Sequence, residues 1–81
     1  MTITVHLFGM QARLADSRSL QLELPDDANC GAILERLGVE YPALSPSLSG
    51  SRLAVNHRYA EPDEKLAEDD EVALIGMISG G

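Results

Sequence analysis

The feature that most limits what this chain can fold into is a change of hydrophobic period near residue 25. Upstream, Thr2 to Phe8 alternates polar and apolar, with Ile3, Val5 and Leu7 on one side, the pattern of a half-buried strand that Gly9 closes. Ser19 to Leu24 alternates again, with Leu20, Leu22 and Leu24 inward, and the intervening stretch through Arg13 and Leu14 reads as a connection. Pro25-Asp26-Asp27 then breaks the strand, and Cys30, Ile33, Leu34 and Leu37 follow at i, i+3, i+4 and i+7. That spacing lays one apolar stripe along a helix over 30–37, with Asn29 as its N-cap and Gly38 as its stop. Two strands and a helix, each greasy on one face, are hidden from water by covering one another.

The remaining segments are shorter. Tyr41 to Gly50 holds Pro42, Pro46 and several serines and reads as loop with at most a short helical turn. Arg52 to Val55 is strand-like, Asn56-His57-Arg58 is a turn before Tyr59, and Glu61 to Leu66 is a solvated connection with Leu66 as an inward anchor. Asp69-Asp70 marks a turn before a last strand over 71–75, where Val72 and Leu74 point the same way. Eighty-one residues leave room for one core and one domain. The order of elements predicts an α+β fold of the β-grasp kind, a twisted mixed sheet packed on one main helix, spanning 1–81 with a flexible C-terminal tail over 76–81.

Composition removes several functions. Thirteen acidic residues against six basic ones give a formal charge of −7, which repels phosphates and argues against nucleic acid as a partner. The same imbalance favours docking on a basic protein surface. Phe8, Tyr41 and Tyr59 are the only aromatics, too few for a base-stacking platform. A single cysteine forms no internal disulfide. The strand pattern begins almost at Met1, leaving no room for a signal peptide, and no apolar run approaches a membrane span. A cytoplasmic location is expected.

Inside the chain no catalytic group stands out. His6 and His57 lack neighbours of metal-ligand type, Cys30 opens the helix stripe as a small buried hydrophobe, and the acidic pairs read as turns. A Gly-rich phosphate loop with a following Lys-Ser or Lys-Thr is missing. The end of the chain is more informative. After the last strand come Gly76-Met77-Ile78-Ser79-Gly80-Gly81. Gly80 and Gly81 carry no Cβ and can pass through a narrow channel, bringing a terminal carboxylate to a reagent. Such a carboxylate becomes an electrophile once adenylated, and a sulfur or amine nucleophile then displaces AMP. The chain is thus expected to be a carrier, a binding module or a structural subunit, and not catalytic alone.

With these residues on the page, the chain is similar over nearly its whole length to the small sulfur-carrying subunits of molybdopterin synthase, the MoaD-like branch of the ubiquitin-like β-grasp proteins. The resemblance rests on Val5-His6-Leu7-Phe8-Gly9 with Arg13-Leu14, on Ile33 to Leu37, on Ala54-Val55-Asn56, and above all on Leu66 to Ile75 followed by Ile78-Ser79-Gly80-Gly81. It implies that an ATP-using, E1-like enzyme adenylates Gly81, and that a sulfur-donating enzyme then makes it a thiocarboxylate. The tail of Met77, Ile78, Ser79, Gly80 and Gly81 would enter the active site of a large subunit. Two carriers in succession would give sulfur to cyclic pyranopterin monophosphate. No metal or stably bound cofactor is implied for this chain. Members of that family commonly carry Pro-Pro-Val where this chain has Gly76-Met77-Ile78, and losing proline frees the φ angle it would fix. Carriers for thiamine or cysteine biosynthesis share the Gly-Gly ending, and a protein modifier or noncatalytic binding module would use the same fold.

Overall fold

The structure is a computed structural model, and it describes residues 1–76. Five strands form one sheet: β1 (Thr2–His6), β2 (Ser19–Glu23), β3 (Ser51–Val55), β4 (Arg58–Ala60) and β5 (Val72–Gly76). Their spatial order is β2-β1-β5-β3-β4. β1 and β5 are parallel at the centre, with Val5 beside Val72, and every other pairing is antiparallel. The expected mixed sheet of the β-grasp arrangement is therefore present. β5 reaches Gly76, so the strand takes in the first residue assigned by sequence to the tail.

The main helix, α2 (Cys30–Glu40), starts where the stripe predicts. Asn29 Oδ1 accepts a hydrogen bond from the Ala32 N–H at 3.0 Å, satisfying one of the donors that the first turn leaves open. Ile33 and Leu37 are fully buried against Ile3, Val5, Leu22 and Leu74 of the sheet. Gly38 does not end the helix. It lacks the left-handed φ that a glycine stop uses, and the helix runs on to Glu40, with Arg36 and Glu40 paired across one turn at 3.3 Å. Pro42 supplies the stop, because a proline disfavours helical backbone at the residue before it.

Between β1 and β2 lies a helix that alternation did not reveal, α1 (Gly9–Ala15). Gly9 enters it at φ +54°, a backbone that glycine adopts without a Cβ penalty. The serine-proline stretch folds into a 3-10 turn (Pro42–Leu44) and one short helix, α3 (Ser45–Leu48), in line with a loop holding a short helical turn. The β3–β4 connection is a two-residue turn in which Asn56 and His57 both take positive φ, 52° and 71°, the backbone whose twist matches a hairpin.

Candidate functional site

β5 is the central strand, and Gly76 is its last residue. The residues proposed from sequence to carry the chemistry, Met77, Ile78, Ser79, Gly80 and Gly81, lie outside the described residues, as does the expected flexibility of the tail. What the structure places is the point from which they continue.

That point borders a groove of about 520 Å³. Leu74, Ile75 and Gly76 form its floor, Phe8, Met10, Gln11 and Leu14 come from the β1 end and α1, and Pro46, Ser47, Ser49 and Gly50 close the other side. The helix overlooked in the sequence thus builds one wall. Phe8 is 57 % exposed, Met10 70 % and Leu14 45 %, so three large apolar side chains stand in water around one opening. Single exposed apolar residues are ordinary, whereas a cluster at one mouth marks a contact surface. None of the lining residues titrates near neutral pH; the groove can hold an apolar surface but offers no acid or base for chemistry.

Gln11 is the one buried polar side chain in the groove's lining, which also includes Ser47 and Ser49. It is 5 % exposed and the sole buried polar residue among those described. Its Nε2 donates to Ser47 Oγ at 3.0 Å and to Ser51 Oγ at 2.8 Å. Ser51 is the β3 partner of Gly76. A Cβ built on Gly76 would stand 3.4 Å from Gln11 Oε1, so the amide packs directly on the backbone there.

A second recess of about 500 Å³ lies on the side lined by His6, His57, Glu71, Ala54, Ala73 and Ile75, and it shares Phe8 and Ile75 with the groove. Sequence treated the two histidines separately, and the sheet brings both to this face. His57 Nε2 is 3.7 Å from Glu71 Oε2, with both side chains well exposed. Among the described residues no three His, Cys, Asp or Glu side chains come together as a metal site.

Cys30 is 1 % exposed. Burial first, then the charges of Glu64 and Asp70, push its thiol pKa up, which leaves it protonated and a poor nucleophile. Arg58 meets Glu64 through two hydrogen bonds, at 3.2 and 2.9 Å. That contact, with the Glu61 N–H behind it, holds the Glu64 carboxyl below its ordinary range. These groups lie in the segment after β4 that packs on the first turn of α2, where the Pro62 and Glu64 carbonyls accept from the Gly31 and Cys30 N–H groups. No helix among the described residues is long and apolar enough to cross a membrane.

Comparison with known proteins agrees with this geometry. The family model described as ThiS family matches residues 5–81. The molybdopterin synthase sulfur carrier subunit of Dictyostelium discoideum is 33 % identical, over 93 % of this chain and 91 % of that protein. Its counterpart in Chlamydomonas reinhardtii is 32 % identical over 100 % of both chains. Among solved structures, small archaeal modifier protein 1 of Haloferax volcanii superimposes with a TM-score of 0.84 at 27 % identity, covering 95 % of this chain and 98 % of that one.

Proposed function

The chain belongs to the ThiS family, and we propose that it serves molybdopterin synthesis as a sulfur carrier whose reactive group is the Gly81 carboxylate. The observation that carries this reading is the match, over 91 % or more of their length, to proteins named as molybdopterin synthase sulfur carrier subunits. The groove at the root of the tail supports it. A carrier has to be gripped beside the group it delivers, and Phe8, Met10 and Leu14 stand where Gly76 leads into residues 77–81.

The chemistry divides between this chain and its partners. An adenylating enzyme binds ATP; the Gly81 carboxylate attacks the α-phosphorus and pyrophosphate leaves. A sulfide equivalent from a sulfur-donating enzyme then attacks the acyl carbon, AMP departs, and the end becomes a thiocarboxylate. The large synthase subunit takes the apolar rim of the groove while Met77 to Gly81 enter its active site. There each carrier passes one sulfur to cyclic pyranopterin monophosphate, and water attacks the acyl carbon as the acyl–sulfur bond breaks, restoring the Gly81 carboxylate. The acidic charge of −7 steers the approach to basic partner surfaces.

The test is intact mass spectrometry after incubation with ATP, a sulfur source and the cognate activating enzyme. Replacement of one oxygen by sulfur, localised to Gly81 and lost on deletion of that residue, is the expected result. An unmodified end with enzymes of verified activity would refute the reading. The likeness to a small archaeal modifier protein favours protein modification as the second reading, and amide conjugates to target lysines would identify it. Thiamine or cysteine biosynthesis would be recognised by the sulfur-accepting enzyme that copurifies.

A further inference from the structure

Gln11 has an arrangement that folding of α1 alone does not demand. A seven-residue surface helix with one buried position would ordinarily bury an apolar side chain there. This one buries an amide and spends both donor bonds on elements far away in sequence, Ser47 in α3 and Ser51 at the start of β3. Both serines are themselves fixed: Ser47 Oγ donates to the Leu44 carbonyl at 2.7 Å, and Ser51 Oγ to the Ser47 carbonyl at 2.8 Å. The amide therefore ties α1, α3 and β3 together around Gly76, and its oxygen lies against that glycine. At this place the chain has Gly76-Met77, where proline would have restricted the backbone by its ring.

We propose that Gln11 is a positioning residue for the acyl-transfer chemistry, a clamp that sets the backbone at Gly76 and so the direction from which the carboxylate is offered to its activating enzyme. The inference rests on the carrier reading above. Without the clamp, Phe8, Met10 and Leu14 still present their apolar rim, so docking persists. The root of the tail then wanders, and the carboxylate reaches its reacting position in fewer of the docked complexes. Presentation and binding are thereby separable.

The experiment measures ATP–pyrophosphate exchange by the cognate activating enzyme as a function of carrier concentration, with melting temperature recorded in parallel. Gln11→Met keeps the side chain's length and removes its donors. At a temperature where all variants are folded, kcat is expected to fall about ten-fold while KM stays within about two-fold, since misplacement of a reacting group acts on the chemical step. Ser51→Ala, which removes one acceptor, should reproduce most of that loss. The double variant should lose little more than Gln11→Met alone, the non-additivity expected of residues acting as one unit. Should Gln11→Met fail to fold, Ser51→Ala and Ser47→Ala carry the same expectation. Folded variants with a lowered melting temperature but the wild-type kcat would overturn the proposal, as would a loss confined to KM. A wild-type chain that supports no exchange would refute the carrier reading itself, and this inference with it.

Discussion

Phe8 offers the sharpest test of how this protein meets its partners. It lines both the groove and the recess on the histidine side, and it sits in extended backbone as the residue capping α1, with no side-chain capping bond. Because it is 57 % exposed, truncating it to alanine should leave folding within about 0.5 kcal/mol of wild type. Binding should respond very differently. A phenylalanine of roughly 200 Å², exposed to this extent, still has on the order of 115 Å² to bury against a partner, about 3 kcal/mol at ~25 cal/mol per Å². Association realises only part of that transfer value, so Phe8→Ala should weaken the complex with the large subunit by about 2 kcal/mol, roughly thirty-fold in Kd. Titration calorimetry at fixed salt reads this directly. Val39 is the control: it is 77 % exposed, on α2, and borders neither recess. Val39→Ala should leave Kd unchanged within about two-fold. Equal losses for the two variants, or none for Phe8→Ala, would refute the assignment of this surface.

Two further outcomes concern stability. Asn29→Ala removes the acceptor for the Ala32 N–H and should cost about 1 kcal/mol, a fall of about 4–8 °C in melting temperature by calorimetry; an unchanged melting temperature would show the cap to be idle. Glu64 has its pKa lowered, first by the hydrogen bond from Arg58, so its stabilisation is present above the unfolded carboxylate value and disappears as pH falls through the lower folded value. Glu64→Gln should therefore melt below wild type at neutral pH, with the gap closing on acidification past the ordinary 4.5. A gap that persists at the acid end of the titration would contradict this.

Much of the fold could be read from residue types because its main elements each bury one regular stripe. Ile3, Val5, Leu20 and Leu22 keep the strict alternation of half-buried strands, and all four are buried. α2 announces itself through Ile33 and Leu37 and through its cap. Gly38 does not stop the helix, since glycine marks a C-terminus only where the backbone turns left-handed, and Pro42 acts four residues later. α1 gave no such signal: its buried member is Gln11, it has no acidic first turn and no side-chain cap, and Met10 and Leu14 face solvent. The only hint was that Met10 and Leu14 stand four apart, one helical turn. The wall of the groove was hidden for the same reason, as it depends on α1 and on serines whose value lies in tertiary contact. The reactive end expected at Gly80-Gly81 lies outside the described residues, and the apolar surface around Gly76 was not legible in the sequence.

The place of β5 in the sheet has a mechanical consequence. A partner that draws the tail into a narrow channel pulls on Gly76 along the strand axis. β5 is held by β3 in antiparallel register along its whole length and by β1 in parallel at Val72 and Ala73, so the load runs across hydrogen bonds lying broadly transverse to the pull. Such ladders are strained together in shear and do not peel open one bond at a time, as they would under a pull across the sheet. The tail can be tugged, threaded and released while its anchor stays folded, which suits a part that is used again after each delivery.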